Sequence, residues 1–216
     1  MQSEIREVQV ADGRDAKRRG SYEDERKTND AMKNPYNLKG KRIAVLATHG
    51  FEQSELLDPV EALQENGAAV DIISPDGEEI RGWHEDNWGQ TVSCDAALSD
   101  CDPADYDAIL LPGGVMNSDK LRTLPKARKF VAEFFRAGKP AFVICHGAQI
   151  LIDCDLVEGR KMTSYGSIAP DLLNAGADWR DREVVEDEGL ITSRSPEDLP
   201  AFCASICREL DLQEAN

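Results

Sequence analysis

Positive charge is scarce in this 216-residue chain: 25 Lys+Arg stand against 41 Asp+Glu, a formal net charge of −16. Phosphate backbones are bound by basic patches, so the deficit argues against nucleic acid as a partner. Long apolar runs are missing too. No stretch approaches the ~20 residues that cross a bilayer, so no membrane partner is expected. The opening Met1-Gln2-Ser3-Glu4-Ile5-Arg6 lacks the charged-then-apolar pattern of a secretory signal. The expectation is a cytoplasmic protein. Six cysteines include no Cys-x-x-Cys pair, and histidine occurs only at 49, 84 and 146. Zinc-finger spacings are thereby excluded, a disulfide framework is not expected, and neither is a metal or other cofactor. Cys203 and Cys207, four apart on an expected helix, read as small core residues.

What is present has one domain's length and enough apolar residues (41%) for a real core. Charge is uneven. Residues 1–41 carry ten Lys/Arg and eight Asp/Glu, net +2, whereas residues 42–216 are net −18. The acidity fits either a salt-rich cytoplasm or ordinary solubility. Residues 1–40 show no sustained apolar period and read as a mobile or loosely docked extension, or as an arm anchored by Tyr22 and Tyr36 on a neighbouring subunit. Residues 41–216 form the domain.

From Arg42 the chain alternates. Arg42–Ala47 and Ala69–Ser74 read as buried strands, with a helix over Glu55–Asn66 between them, closed by Gly67. A hairpin-like stretch follows over 77–100, then a strand at Ala108–Leu111, a helix over Pro125–Ala137 and a strand at Ala141–Ile144. A strand near Met162, a helix over Ile168–Asn174, a β pair at 183–193 and a last helix from Ser195 to Leu210 complete the pattern. Strands alternating with helices predict an α/β fold, a doubly wound, mostly parallel sheet sandwiched by helices.

Ligands of such sheets gather at the carboxyl ends of the strands. Three ends converge: Thr48-His49-Gly50-Phe51-Glu52-Gln53-Ser54-Glu55, Pro112-Gly113-Gly114 and Cys145-His146-Gly147. A strand delivering Cys145 onto a tight turn into a helix is a nucleophile elbow, and the helix dipole is expected to lower the thiol pKa. Glu55 starts a helix, where a carboxylate suits the dipole. Buried near the sulfur, its pKa would rise and it would donate a hydrogen bond. Glu52 reads as a cap for the same helix. Gly113 and Gly114 offer backbone N–H groups as an oxyanion hole beside the N–H of His146.

These segments, with Gly159-Arg160-Lys161-Met162-Thr163-Ser164-Tyr165, Asn174-Ala175-Gly176-Ala177 and the Thr192–Leu199 end, resemble the PfpI-type intracellular proteases of the ThiJ/PfpI superfamily over residues 41–212. The resemblance implies a flavodoxin-like, class I glutamine-amidotransferase-like fold. It implies Cys145 as nucleophile, His146 as its partner and Glu55 as the buried carboxyl. Asp119, one methylene shorter than the family's usual Glu, would reach His146 of a neighbouring subunit, which implies a homodimer or higher oligomer. Tyr165, followed here by Gly166 where the family often has Pro, would line the substrate pocket with Glu52. His84, between Trp83 and Trp88, is a candidate for the pocket entrance, and His49 reads as structural.

No histidine follows His146, so a glutaminase triad within one chain is excluded. Three functions stay open. The resemblance favours the first, a PfpI-type cysteine hydrolase acting on a peptide or amide, with the other two as alternatives. The second is glyoxalase or deglycase chemistry on methylglyoxal or early glycation adducts. The third is oxidative-stress sensing through oxidation of Cys145.

Overall fold

The computed structural model describes residues 35–212. Four short strands form its centre: β1 (Arg42–Leu46), β2 (Ala69–Ser74), β6 (Ala108–Leu111) and β7 (Ala141–Ile144). β6 and β7 are wholly apolar and β1 is apolar after Arg42 because they are buried on both faces, whereas β2 carries Asp71 and is fully buried only at Ile73 and Ser74. Ala44, Leu46, Ile109, Leu111, Ala141 and Val143 point into one core layer. Ile43, Val45, Ala108, Leu110, Phe142 and Ile144 point into the other.

Helices cover both layers. Helix α1 (Gln53–Glu65) and the last helix, α6 (Leu199–Leu212), pack on one face through Leu56, Leu63, Phe202, Ile206 and Leu210. Helices α2 (Val115–Arg122), α3 (Pro125–Arg136), α4 (Gln149–Ile152) and α5 (Ala169–Asn174) cover the other, with Phe130, Val131 and Phe134 as the main anchors of α3. Phe135, expected inward, is only half-buried at the edge of that layer. Cys207 is buried in the α1–α6 layer and Cys203 is half-buried.

The seven-stranded sheet has the order β10-β11-β7-β6-β1-β2-β5, with β5 at Ala96–Ala97, β10 at Val184–Asp187 and β11 at Leu190–Ser193. All neighbours are parallel except the β10–β11 hairpin. The chain leaves β1 toward β2 on one side, and β6 returns on the other. The strand order therefore reverses between β1 and β6, where a crevice opens at the carboxyl ends. A separate hairpin, β3 (Ile80–His84) with β4 (Asn87–Val92), stands beside it, and β8 (Lys161–Met162) pairs with β9 (Asp178–Trp179).

The domain begins before Lys41. Leu38 is wholly buried in the α1–α6 layer, its N–H donates to Asn66 O at 2.8 Å, and Tyr36 packs on the same layer. Residues 1–34 of the expected extension, Tyr22 included, lie outside the described residues. Among the described residues no helix is long and apolar enough to cross a membrane.

Candidate active site

Strand β7 ends in Cys145, whose φ of +59° lies in the left-handed region that side chains other than glycine seldom adopt. The elbow forms because the strand must turn at once into the 3-10 turn Cys145–Ala148 and then α4. Gly147 makes the turn possible: a Cβ there would lie 2.5 Å from Leu111 O. The crevice is stapled by Asn117, fully buried on α2. Its Oδ1 accepts from Thr48 N–H at 2.8 Å, and its Nδ2 donates to Pro112 O and Gly113 O, each at 3.0 Å. The ends of β1 and β6 are thereby held together.

Glu55, in the first turn of α1, is wholly buried. Burial raises its pKa to about 8, and Cys145 and the N–H of Gly113 act against that rise. Oε2 accepts from Gly113 N–H at 2.9 Å, while Oε1 is buried without a hydrogen-bond partner among the described residues. A neutral carboxyl is the form that such a site tolerates. The thiol shift runs opposite to the one expected from the helix dipole. Burial pushes the Cys145 pKa up, and the neighbouring Glu55 pushes it further, against the N–H groups of His146 and Gly114. The helix behind the elbow, a single four-residue turn, does not reverse this.

His146 is buried, and its Nδ1 lies 3.2 Å from Cys145 Sγ. Its Nε2 lies 3.2 Å from Ser167 Oγ. The Tyr165 ring stacks on the imidazole, with centroids 5.0 Å apart. Burial lowers the His146 pKa, so the ring is neutral near pH 7.

These groups border a cavity of about 420 Å³. Of the residues singled out in the sequence, Glu52, Glu55, Gly114, Cys145, His146 and Tyr165 line it. Other expectations are revised. The N–H of Gly113 is engaged by Glu55, which leaves Gly114 and His146 as the donors at the sulfur. Glu52 occupies the N-cap position of α1, but its side chain makes no capping hydrogen bond. Its half-buried carboxyl faces the cavity, and desolvation raises its pKa. His84 is exposed and does not line the cavity. Trp83, its neighbour on β3, does. His49 accepts the Arg81 N–H on Nδ1 at 3.1 Å, a structural contact.

Asp119 is exposed on α2 and is not among the cavity-lining residues, so its expected role depends on a second copy of the chain. Sequence reasoning missed Met116, Trp83, Asn117 and Ser167. Asn117 and Ser167 reach the site only through tertiary contacts, 69 and 21 residues from their partners in the chain. Among the described residues no group of three acidic, His or Cys side chains is placed to hold a metal ion.

A doubly wound sheet that delivers a cysteine on a strained elbow, beside a buried carboxyl, defines a class of α/β proteins organised around one thiol. Residues 41–209 match the model of the DJ-1/PfpI family, and the chain belongs to that family. YraA of Bacillus subtilis, which carries a provisional cysteine-protease name, is 46% identical over 163 residues, covering 75% of this chain and 94% of YraA. Protein/nucleic acid deglycase 2 of Escherichia coli is 42% identical over 172 residues, covering 79% of this chain and 98% of that protein. The crystal structure of Drosophila melanogaster DJ-1beta superposes with a TM-score of 0.72 at 26% identity, covering 79% of this chain and 90% of that one.

Proposed function

We propose that the protein converts small 2-oxoaldehydes, such as methylglyoxal, through a thiol adduct on Cys145. The observation that carries this reading is the wholly buried Glu55 beside the sulfur, with a pKa raised to about 8. A carboxyl with that pKa both gives and takes a proton near neutrality, which is what moving a hydrogen between adjacent carbons requires. The cavity of about 420 Å³ suits a small aldehyde better than an extended peptide.

In this reading Cys145 Sγ bonds to the aldehyde carbon as its proton passes to His146 Nδ1. Glu55 protonates the carbonyl oxygen, giving a hemithioacetal, and the N–H groups of Gly114 and His146 stabilise the charge as it develops. Glu55, now a carboxylate, removes the hydrogen from the aldehyde-derived carbon and returns it to the neighbouring carbon. The hydroxyl proton returns to Glu55 as the thioester carbonyl forms, and the imidazolium of His146 gives its proton to the neighbouring oxygen, which becomes the product hydroxyl. Water then cleaves the thioester, restoring the thiol and releasing the 2-hydroxyacid. The sum is 2-oxoaldehyde plus water to 2-hydroxyacid: the aldehyde carbon is oxidised, the neighbouring ketone carbon is reduced, and no external oxidant is needed. Removal of early glycation adducts would use the same thiol addition.

Peptide or amide hydrolysis is the second reading. The strained elbow and the paired N–H groups of Gly114 and His146 support it, as does the name carried by YraA. Oxidation of the thiol is a third use of the same sulfur. The deciding experiment incubates the purified protein and its Cys145→Ala variant with methylglyoxal and, separately, with a panel of fluorogenic peptides. Lactate formation that requires Cys145 supports the aldehyde reading. Cys145-dependent peptide cleavage without lactate overturns it in favour of hydrolysis. If neither reaction occurs, selective oxidation of Cys145 by mild peroxide, read by intact mass, favours the sensor.

A further inference from the structure

His146 has one polar partner on each ring nitrogen, and only one of them belongs to the reacting pair. Nδ1 meets the Cys145 sulfur at 3.2 Å, and Nε2 meets Ser167 Oγ at 3.2 Å. We infer that Ser167 is the positioning residue of His146. Its hydroxyl accepts the Nε2 proton and holds the neutral ring in the tautomer whose Nδ1 lone pair faces the thiol. This deepens the aldehyde reading above and rests on it only for the use to which the thiol is put.

Three observations support the assignment. First, burial alone displaces the His146 pKa, and no charged side chain among the described residues contributes. Among the described residues, no carboxylate orients this ring. Second, the hydroxyl is carried by a fixed segment. Tyr165 N–H donates to the elbow carbonyl of Cys145 at 3.3 Å while its ring stacks on the imidazole. Ile168, on the other side of Ser167, is buried, and its N–H donates to Tyr165 O at 3.1 Å. Ser164 Oγ donates to Tyr165 O at 3.0 Å and accepts from Trp179 Nε1 at 3.1 Å, which ties the same loop to β9. Third, the polarity is consistent along the row. The thiol, kept protonated by burial, donates to Nδ1, which leaves Nε2 as the protonated nitrogen and Ser167 as its acceptor. When the thiol proton moves to Nδ1 during attack, the imidazolium keeps the same bond at Nε2. The serine therefore does not have to reorganise at the moment of reaction. A hydroxyl also adds no negative charge beside a sulfur already crowded by Glu55.

The test uses two readouts that need no aldehyde. With only three histidines in the chain, ¹⁵N NMR of the histidine-labelled protein resolves the His146 ring nitrogens. Wild type is expected to show a protonated Nε2 and a bare Nδ1. Ser167→Ala should move both nitrogens toward the averaged values of exchanging tautomers, and Ser167→Thr should restore them. Alkylation of Cys145 by iodoacetamide should slow about tenfold in Ser167→Ala, the effect of one lost hydrogen bond, and recover in Ser167→Thr. Unchanged nitrogen shifts in Ser167→Ala, or failure of threonine to restore them, would overturn the inference. So would a shift produced by Asp119→Ala instead, which would assign the role to a carboxylate from a second copy. If wild type makes no lactate, the proposed function fails while both readouts still judge Ser167.

Discussion

Glu55 Oε2 and the N–H of Gly113 meet at 2.9 Å, and that contact joins the first turn of α1 to the turn after β6 immediately beside the thiol. A glycine is required on the far side of this bond. A Cβ on residue 113 would lie 2.3 Å from Glu55 Oε2 and 2.6 Å from Cys145 Cβ, so the carboxyl can approach only a bare backbone. Gly113→Ala must therefore displace Glu55 or the elbow. The expected outcome is a stability loss of about 1–3 kcal/mol in urea denaturation, the usual cost of overpacking. Loss of Cys145-dependent turnover should accompany it. Wild-type stability and activity in this variant would show that the contact is not needed.

The pKa of Glu55 also sets a pH dependence. The folded protein keeps a proton that the unfolded chain gives up near pH 4.5, because burial raises the folded value to about 8. Native Glu55 thus binds more protons than unfolded Glu55 between these values, and its contribution to stability falls as pH rises through that window. The slope is about 1.4 kcal/mol per pH unit. Glu55→Gln carries no such proton. The difference in unfolding free energy between variant and wild type should grow in the variant's favour from pH 5 to pH 8. A pH-independent difference would mean that Glu55 is ionised in the fold. The same substitution should cut methylglyoxal turnover at least about 100-fold, since an amide cannot relay a proton.

Much of this arrangement was legible in the sequence. Apolar runs bounded by turns disclosed β1, β6 and β7, and the position of Cys145 at a strand end disclosed the elbow. Glu55 was legible for a similar local reason, as an acid in the first turn of a helix that follows a strand. Local pattern misjudged the electrostatics. The dipole of a short helix suggested a depressed thiol pKa, whereas burial and a neighbouring carboxyl raise it. It also could not show that Gly113 spends its N–H on Glu55, because that depends on how α1 is set against β6. Ser167 and Asn117 were invisible for the same reason: nothing in their neighbours along the chain marks them, and only the fold brings them to His146 and Thr48.

The strain at Cys145 is separable from its chemistry. At φ +59°, alanine keeps the left-handed penalty of about 1–2 kcal/mol and glycine removes it. Glycine also adds about 0.5–1 kcal/mol of freedom to the unfolded chain. Both substitutions delete the sulfur. Cys145→Gly is therefore expected to be about 0.5–1 kcal/mol more stable than Cys145→Ala, as the small remainder of those two terms. Urea denaturation of the pair checks this, and a more stable alanine variant would refute an elbow held against its own preference.

Asp119 distinguishes a site complete in one chain from one shared between copies. It is exposed on α2, whereas Nε2 of His146 already meets Ser167. An acid from a second copy would have to displace that hydroxyl and bring a negative charge toward a buried pair that already contains Glu55. Such a charge would raise the His146 pKa, which burial now lowers, and would favour an imidazolium at rest. Asp119→Ala is therefore expected to leave lactate formation and Cys145 alkylation within about twofold of wild type, the scale of a surface charge change. The measurement is made across a protein concentration series, with the assembly state followed by sedimentation. A larger loss that appears only where the chain self-associates would place the carboxylate of a partner copy at His146 and overturn the one-chain reading.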